Sequence, residues 1–141
     1  MSDKQRPELS MRSPYYIGKH RYYELVHFCR QYALWRRELA LLDGFKPQNW
    51  EISPGSYLAD PTATEGEKRA MLSRKIDQVH KAAKQATENE ELRRILLEGV
   101  VTGIGFPQLK ARHAAAWLGK DTYYEAYRRF FWELNRIRCW D

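Results

Sequence analysis

The chain has 141 residues, 43% of them hydrophobic and 30% charged, with a formal net charge of +6; that is material for one domain, or for a small domain and an arm. No apolar run approaches the ~18 residues that a membrane span requires, and the charged start, Met1 to Glu8, lacks the apolar segment of a secretory signal. Cys29 and Cys139 stand far apart without metal-ligand spacing, which favours free thiols in a reducing cytoplasm over a disulfide framework. A sequence pI of about 9.4 passes the usual mark for a nucleic-acid partner. The excess charge is split, however, with +3 over residues 1–43, +3 over 103–141 and a nearly neutral centre. There is no block of like charge of the kind that a polyelectrolyte tail carries.

In chain order, residues 1–14 are polar, contain Pro7 and Pro14, and read as an arm. From about Gly18 to Leu42 the apolar positions Leu25, Phe28, Cys29, Tyr32, Trp35, Leu39 and Leu42 recur at helical steps. This predicts one long helix that packs, or dimerises, through its aromatic stripe. Asp43-Gly44 ends it. Residues 44–64 hold Pro47, Pro54 and Pro61 without a period and read as a linker or long loop. Trp50, Ile52, Tyr57 and Leu58 are its candidates for contact with the helices. Thr64-Glu-Gly-Glu67 has capping-box spacing and opens a helix to about Thr87, with Met71, Leu72, Ile76, Val79, Ala83 and Ala86 as the inward side. After a break at Thr87–Asn89, Glu90–Val101 is predicted as a further helix that ends at Gly103-Ile-Gly105.

Pro107 suits the first turn of a short helix, which is predicted to continue through Leu109, Ala111 and Ala114-Ala-Ala116 to Trp117. Leu118-Gly119-Lys120-Asp121 then reads as a turn, and Thr122-Tyr-Tyr-Glu125 as a second capping box. No alternating β pattern of useful length occurs. The expectation is an all-α chain: arm and long helix over 1–43, linker over 44–64, and a helical domain over 65–141.

On a helical wheel, Tyr123, Tyr127, Phe130, Leu134 and Ile137 fall within one arc, flanked by Tyr124 and Phe131. Glu125, Arg128, Arg129, Trp132 and Arg136 fall on the other. A helix anchored on one side and showing arginine on the other is what entry into a DNA major groove requires, since a guanidinium matches guanine edges and phosphates bidentately. The support helix, the turn around Gly119 and this last helix form a candidate helix-turn-helix at about 107–138. Lys110, Arg112, Lys120 and Thr122 are its candidate phosphate contacts. The plainer alternative is a solvated basic amphipathic helix. Trp132 shifts the balance slightly away from it, because a large aromatic on the arginine side needs a partner or a reason to be exposed, and that partner could equally be a second subunit.

These residues carry a family resemblance. Tyr15-Tyr-Ile17, Arg21-Tyr-Tyr-Glu-Leu25, Phe28-Cys-Arg-Gln-Tyr32 with Trp35, Asp60-Pro-Thr-Ala63 and Leu72-Ser-Arg-Lys-Ile76 contribute to it. The densest match is Ile95-Leu-Leu-Glu-Gly-Val-Val-Thr-Gly103, followed by Asp121-Thr-Tyr-Tyr and Arg128-Arg-Phe-Phe131. Over most of its length the chain resembles the RinA/ArpU-like late-gene regulators of phages and prophages of Gram-positive bacteria. The resemblance implies a DNA-binding domain similar to the promoter-reading region of sigma factors, with Thr122, Arg128 and Arg129 on the recognition helix. It also implies activation of late operons in the bacterial host cytoplasm, with host RNA polymerase as a partner. The Ala-rich segment Arg112-His-Ala-Ala-Ala-Trp-Leu118 departs from the more polar segment expected there.

Enzyme chemistry has little support in the sequence. His20, His27, His80 and His113 lie on different elements without metal-site spacing, and Gly103-Ile-Gly105 lacks the third glycine and preceding strand of a phosphate loop. Cys29 sits on an apolar helix face, and Cys139 has no nearby base. No catalytic residue, metal or cofactor is expected. The partners expected are double-stranded DNA, host RNA polymerase and a second copy of the chain, with no membrane. The leading expectation is a sequence-specific transcription regulator. The rivals are a helical adaptor that binds RNA polymerase or a packaging component without touching DNA, and a small DNA-processing enzyme.

Overall fold

Capping chemistry sets several of the helix boundaries. The computed structural model describes residues 13–44 and 64–140. Among them are α1 (Lys19–Arg30), α2 (Tyr32–Leu42), α3 (Glu65–Ala86), α4 (Glu90–Thr102), α5 (Phe106–Arg112) and α6 (Lys120–Trp140). No strand occurs among the described residues, whose regular structure is all-helical. The arm over residues 1–12 and most of the predicted linker, with Trp50, Ile52, Tyr57 and Leu58, lie outside the described residues.

Thr64 caps α3 as expected. Its hydroxyl accepts from Glu67 N at 3.1 Å, and the Glu67 carboxylate accepts from Thr64 N at 3.4 Å. Asn89 caps α4 by accepting from Glu91 N and Leu92 N at 3.0 and 3.1 Å. Gly103 ends α4 in the left-handed region at φ 81° and donates to Gly99 O. A Cβ at Gly103 would meet only the Arg30 guanidinium, the end of a flexible side chain that can move aside, so the position needs glycine for its backbone conformation.

The predicted single helix over 18–42 is broken at Gln31. Gln31 N–H reaches back to Phe28 O at 3.2 Å, a tighter turn than the α-helical one, and α2 restarts with Trp35 N on Gln31 O. The break lets the two halves serve different neighbours: α1 packs against α4 and α6, and α2 against α3. The aromatic stripe is used inside the chain, with Tyr22, Leu25, Phe28, Cys29 and Trp35 all buried. Tyr32, Leu39 and Leu42 of the same stripe are partly buried.

α6 is the axis of the fold. It lies chiefly along α3 and also touches α1 and α4. Tyr123, Phe130, Phe131 and Leu134 are all essentially inaccessible to solvent, and such side chains contribute about 1.5–3 kcal/mol each on burial. Aromatic edges join the layers, with Tyr22 against Phe131 at 5.2 Å and Phe106 stacked on Tyr123 at 5.3 Å. The Tyr22 and Tyr127 hydroxyls share a hydrogen bond of 2.5 Å.

Two expectations about the C-terminal half are corrected. The short helix stops at Arg112 and does not run to Trp117. Ala115 N–H bonds Lys110 O at 3.0 Å around Ala114, whose φ of 48° is left-handed, the closing pattern of a Schellman turn. The last helix begins at Lys120, with Tyr123 N–H already bonded to Gly119 O at 3.1 Å. Thr122 therefore lies within the first helical turn and caps nothing. The connection is the seven residues from His113 to Gly119.

Gly99 is where α4, α5 and α6 come closest. A Cβ there would lie 2.9 Å from Leu109 Cδ1 and would collide with the Tyr123 hydroxyl. Gly99→Ala should destabilise the protein by about 1–3 kcal/mol through overpacking. Tyr123→Phe in the same chain should recover part of that loss. Urea unfolding of the two single variants and the double variant measures both, and equal, additive losses would contradict this packing.

Candidate nucleic-acid interface

The two arcs of α6 are realised. Tyr123, Tyr124, Ala126, Phe130, Phe131, Leu134 and Ile137 are buried, while Lys120, Thr122, Glu125, Arg129 and Arg136 are exposed and Arg128 and Trp132 half-buried. Because the inward face is held by four other helices, the outward face has a fixed direction.

The arc divides along its length. In its second half, Trp132 meets Tyr15 edge-on at 5.8 Å, and the Arg136 guanidinium lies 4.9 Å from the Trp132 ring centre. Arg136 also reaches the buried Glu133 carboxylate at 3.4 Å. The partner that Trp132 needed is thus supplied by this chain. In the first half, Lys120, Arg128 and Arg129 have no ion pair among the described residues. Along the outward arc of α6, the cations without an ion pair among the described residues thus lie between Lys120 and Arg129.

The support helix is only partly available. Arg112 pairs with Glu98 of α4 at 3.0 Å, and His113 bonds the other oxygen of the same carboxylate. Lys110 lies 5.8 Å from the Phe106 ring centre. Glu98 thereby ties the end of α5 to α4 and orients the connection to α6. In that connection Ala115 and Leu118 are fully buried, while Trp117 between them is 49% exposed. The turn is anchored on both sides of a solvent-facing indole.

A groove of about 700 Å³ runs beside the arc, between α6 and the turn joining α3 to α4. Lys84 and Glu88 stand on one wall, and Arg129, Glu133 and Arg136 on the other. Sequence reading missed Lys84, because nothing local tells which lysine of a long helix will face α6. It also missed the inward role of Arg138. That guanidinium lies 3.7 Å from the Phe28 ring centre and donates to Gln78 Oε1 at 2.8 Å. Burial, with Arg21 nearby, lowers its pKa from the ordinary arginine value.

The residues weighed for catalysis do not come together. Cys29 is fully buried and its thiol pKa is pushed far up by burial. His80 bonds the Tyr32 hydroxyl at 2.6 Å, and burial together with Arg36 lowers its pKa. Among the described residues no group of three or more His, Cys, Asp or Glu side chains converges to hold a metal, and no helix is long and apolar enough to cross a membrane. Comparison with family models, curated proteins and solved structures returned no match.

The left-handed Ala114 fixes the geometry of the turn before α6, and an alanine there costs about 1–2 kcal/mol that glycine avoids. Ala114→Gly should therefore raise the unfolding free energy by about 1 kcal/mol. Thermal or denaturant unfolding reads this directly, and a loss of stability would contradict the turn geometry.

Proposed function

We propose that the protein is a sequence-specific regulator of transcription that binds double-stranded DNA through α6. In this reading α5, the connection and α6 act as a helix-turn-helix, supported by α4. The observation that carries it is the first half of α6, where Thr122, Glu125, Arg128 and Arg129 line an outward face whose opposite side is locked in the core, with Lys120 exposed at the first residue of the helix. Cations held at fixed positions on a rigid helix lose little freedom on binding, and arginine suits guanine edges in a groove about 12 Å wide.

Within the proposal the roles differ. Arg128 and Glu125 face the base edges. Lys120 and the Thr122 hydroxyl, at the helix N-terminus, contact phosphate. Lys110 and Arg112 add backbone contacts from α5, with Arg112 able to trade Glu98 for a phosphate. Trp132 and Arg136 act at the edge of the footprint, where Tyr15 closes it. The connection of seven residues is longer than the three or four of a compact helix-turn-helix, while Phe106 of α5 still stacks on Tyr123 of α6. The resemblance to RinA/ArpU-like regulators adds the biological setting: activation of phage or prophage late genes with host RNA polymerase, in the cytoplasm of the bacterial host.

The adaptor reading is weaker on a specific ground. The surfaces it needs, Trp132 and the Tyr22–Trp35 stripe, already have partners within the chain.

Fluorescence anisotropy with duplex fragments from the protein's own locus tests the proposal. Affinity should fall by about 10³–10⁵ between about 50 and 200 mM salt if some six to ten phosphates are contacted. Arg128→Ala with Arg129→Ala should weaken binding on the order of 100-fold while leaving the thermal unfolding midpoint unchanged. A double variant that binds like the unaltered protein would remove α6 from the role.

A further inference from the structure

The groove beside α6 has a charge arrangement that the fold does not use. Lys84, near the end of α3, and Arg129 of α6 stand on its opposite walls, and neither has an ion pair among the described residues. Of the two carboxylates at the groove, Glu133 is buried and bonded by Arg136, and Glu88 is exposed on the rim. The polar groups of the α3–α4 turn are also committed. Asn89 Oδ1 caps α4, Thr87 Oγ1 accepts from Asn89 N at 3.2 Å, and Thr87 O accepts from Arg93 at 3.0 Å. What remains open to a ligand is a pair of cations facing each other across a cleft, with the unpaired carboxylate of Glu88 beside them.

We propose that this groove receives the sugar–phosphate strand that borders the recognition helix, with Lys84 and Arg129 meeting its phosphates from opposite sides. The proposal rests on the DNA-binding reading of α6 and extends it to α3. When a helix lies in the major groove, the backbone at the groove's edge passes alongside it, and elements flanking the helix meet that backbone. The α3–α4 turn is such a flank, and the cleft's volume of about 700 Å³ suits a strand rather than a single ion. The charge sign fits a polyanion, since the two unpaired cations on the groove's lining, Lys84 and Arg129, outnumber its one unpaired carboxylate, the equally exposed Glu88. Arg129 thereby becomes a positioning contact to phosphate, leaving Arg128 as the arginine that reads bases.

The test is the salt dependence of duplex binding for Lys84→Ala and Lys84→Glu, with Lys81→Ala as a control on the same helix outside the groove. Losing one phosphate contact should make the plot of log K against log salt shallower by about 0.9. It should weaken binding to specific and unrelated duplexes alike. Lys84→Glu should weaken both further, and Lys81→Ala should leave slope and affinity unchanged. A Lys84→Ala slope equal to that of the unaltered protein, with Arg128→Ala still weakening specific binding, would overturn the groove assignment alone. A Lys81→Ala effect as large as that of Lys84→Ala would overturn it too, by showing a general charge effect. No binding to any duplex at low salt would overturn both the groove and the DNA reading beneath it.

Discussion

Burial of one face of α6 is the constraint from which the rest follows. Tyr123, Phe130, Phe131 and Leu134 are all essentially removed from water, and α1, α3, α4 and α5 are arranged to remove them. A helix so held has no freedom to roll. Its polar arc therefore points in a set direction, and the positions of Lys120, Glu125, Arg128 and Arg129 are consequences of where the aromatic side chains pack. The same residues that stabilise the fold aim the cations.

Two glycines and one alanine then determine how closely the neighbouring helices approach. Gly99 lets α4 meet the Tyr123 ring and Leu109 without a Cβ between them. Gly103 turns the chain through a left-handed residue beneath the Arg30 guanidinium. Ala114 makes the corresponding turn after α5 at a conformational cost that glycine would avoid. Glu98 joins these corners, since its two oxygens hold Arg112 and His113 at the end of α5. The segment before α6 is thus fixed from both ends, by Glu98 on one side and by the buried Leu118 on the other.

Much of this was legible in the sequence where a local signal and the tertiary demand agree. The capping box at Thr64, the break before Glu90 and the stop at Gly103 each follow from one side chain or one backbone requirement, and all stand in the structure. The aromatic arc of α6 was readable for a similar reason, because its period is strong enough to define a face without knowing the neighbours. The failures lie where the two levels part. Gln31 keeps right-handed backbone angles, so nothing local announces a break there; the need to face α4 and α6 on one side and α3 on the other imposes it. Ala114-Ala-Ala116 is a strong helix-forming run, yet burial of Ala115 and Leu118 bends the chain away from the helix. Thr122-Tyr-Tyr-Glu125 matches a capping box, but Gly119 has already started the helix three residues earlier. Of the candidate site, the arginine arc was readable. Its division by Tyr15 on Trp132, and the presence of Lys84 across a groove from Arg129, were not, because both depend on pairings between distant segments.

The most direct test of the central claim, that the outward face of the first half of α6 is the DNA-binding surface, is an NMR titration of amide shifts with a duplex from the protein's own locus. The account predicts that the largest changes fall on Lys120–Arg129 and the connection before it, with a second set at the α3–α4 turn. Changes confined to α2 and the α2-facing side of α3, with α6 unmoved at saturating DNA, would contradict it.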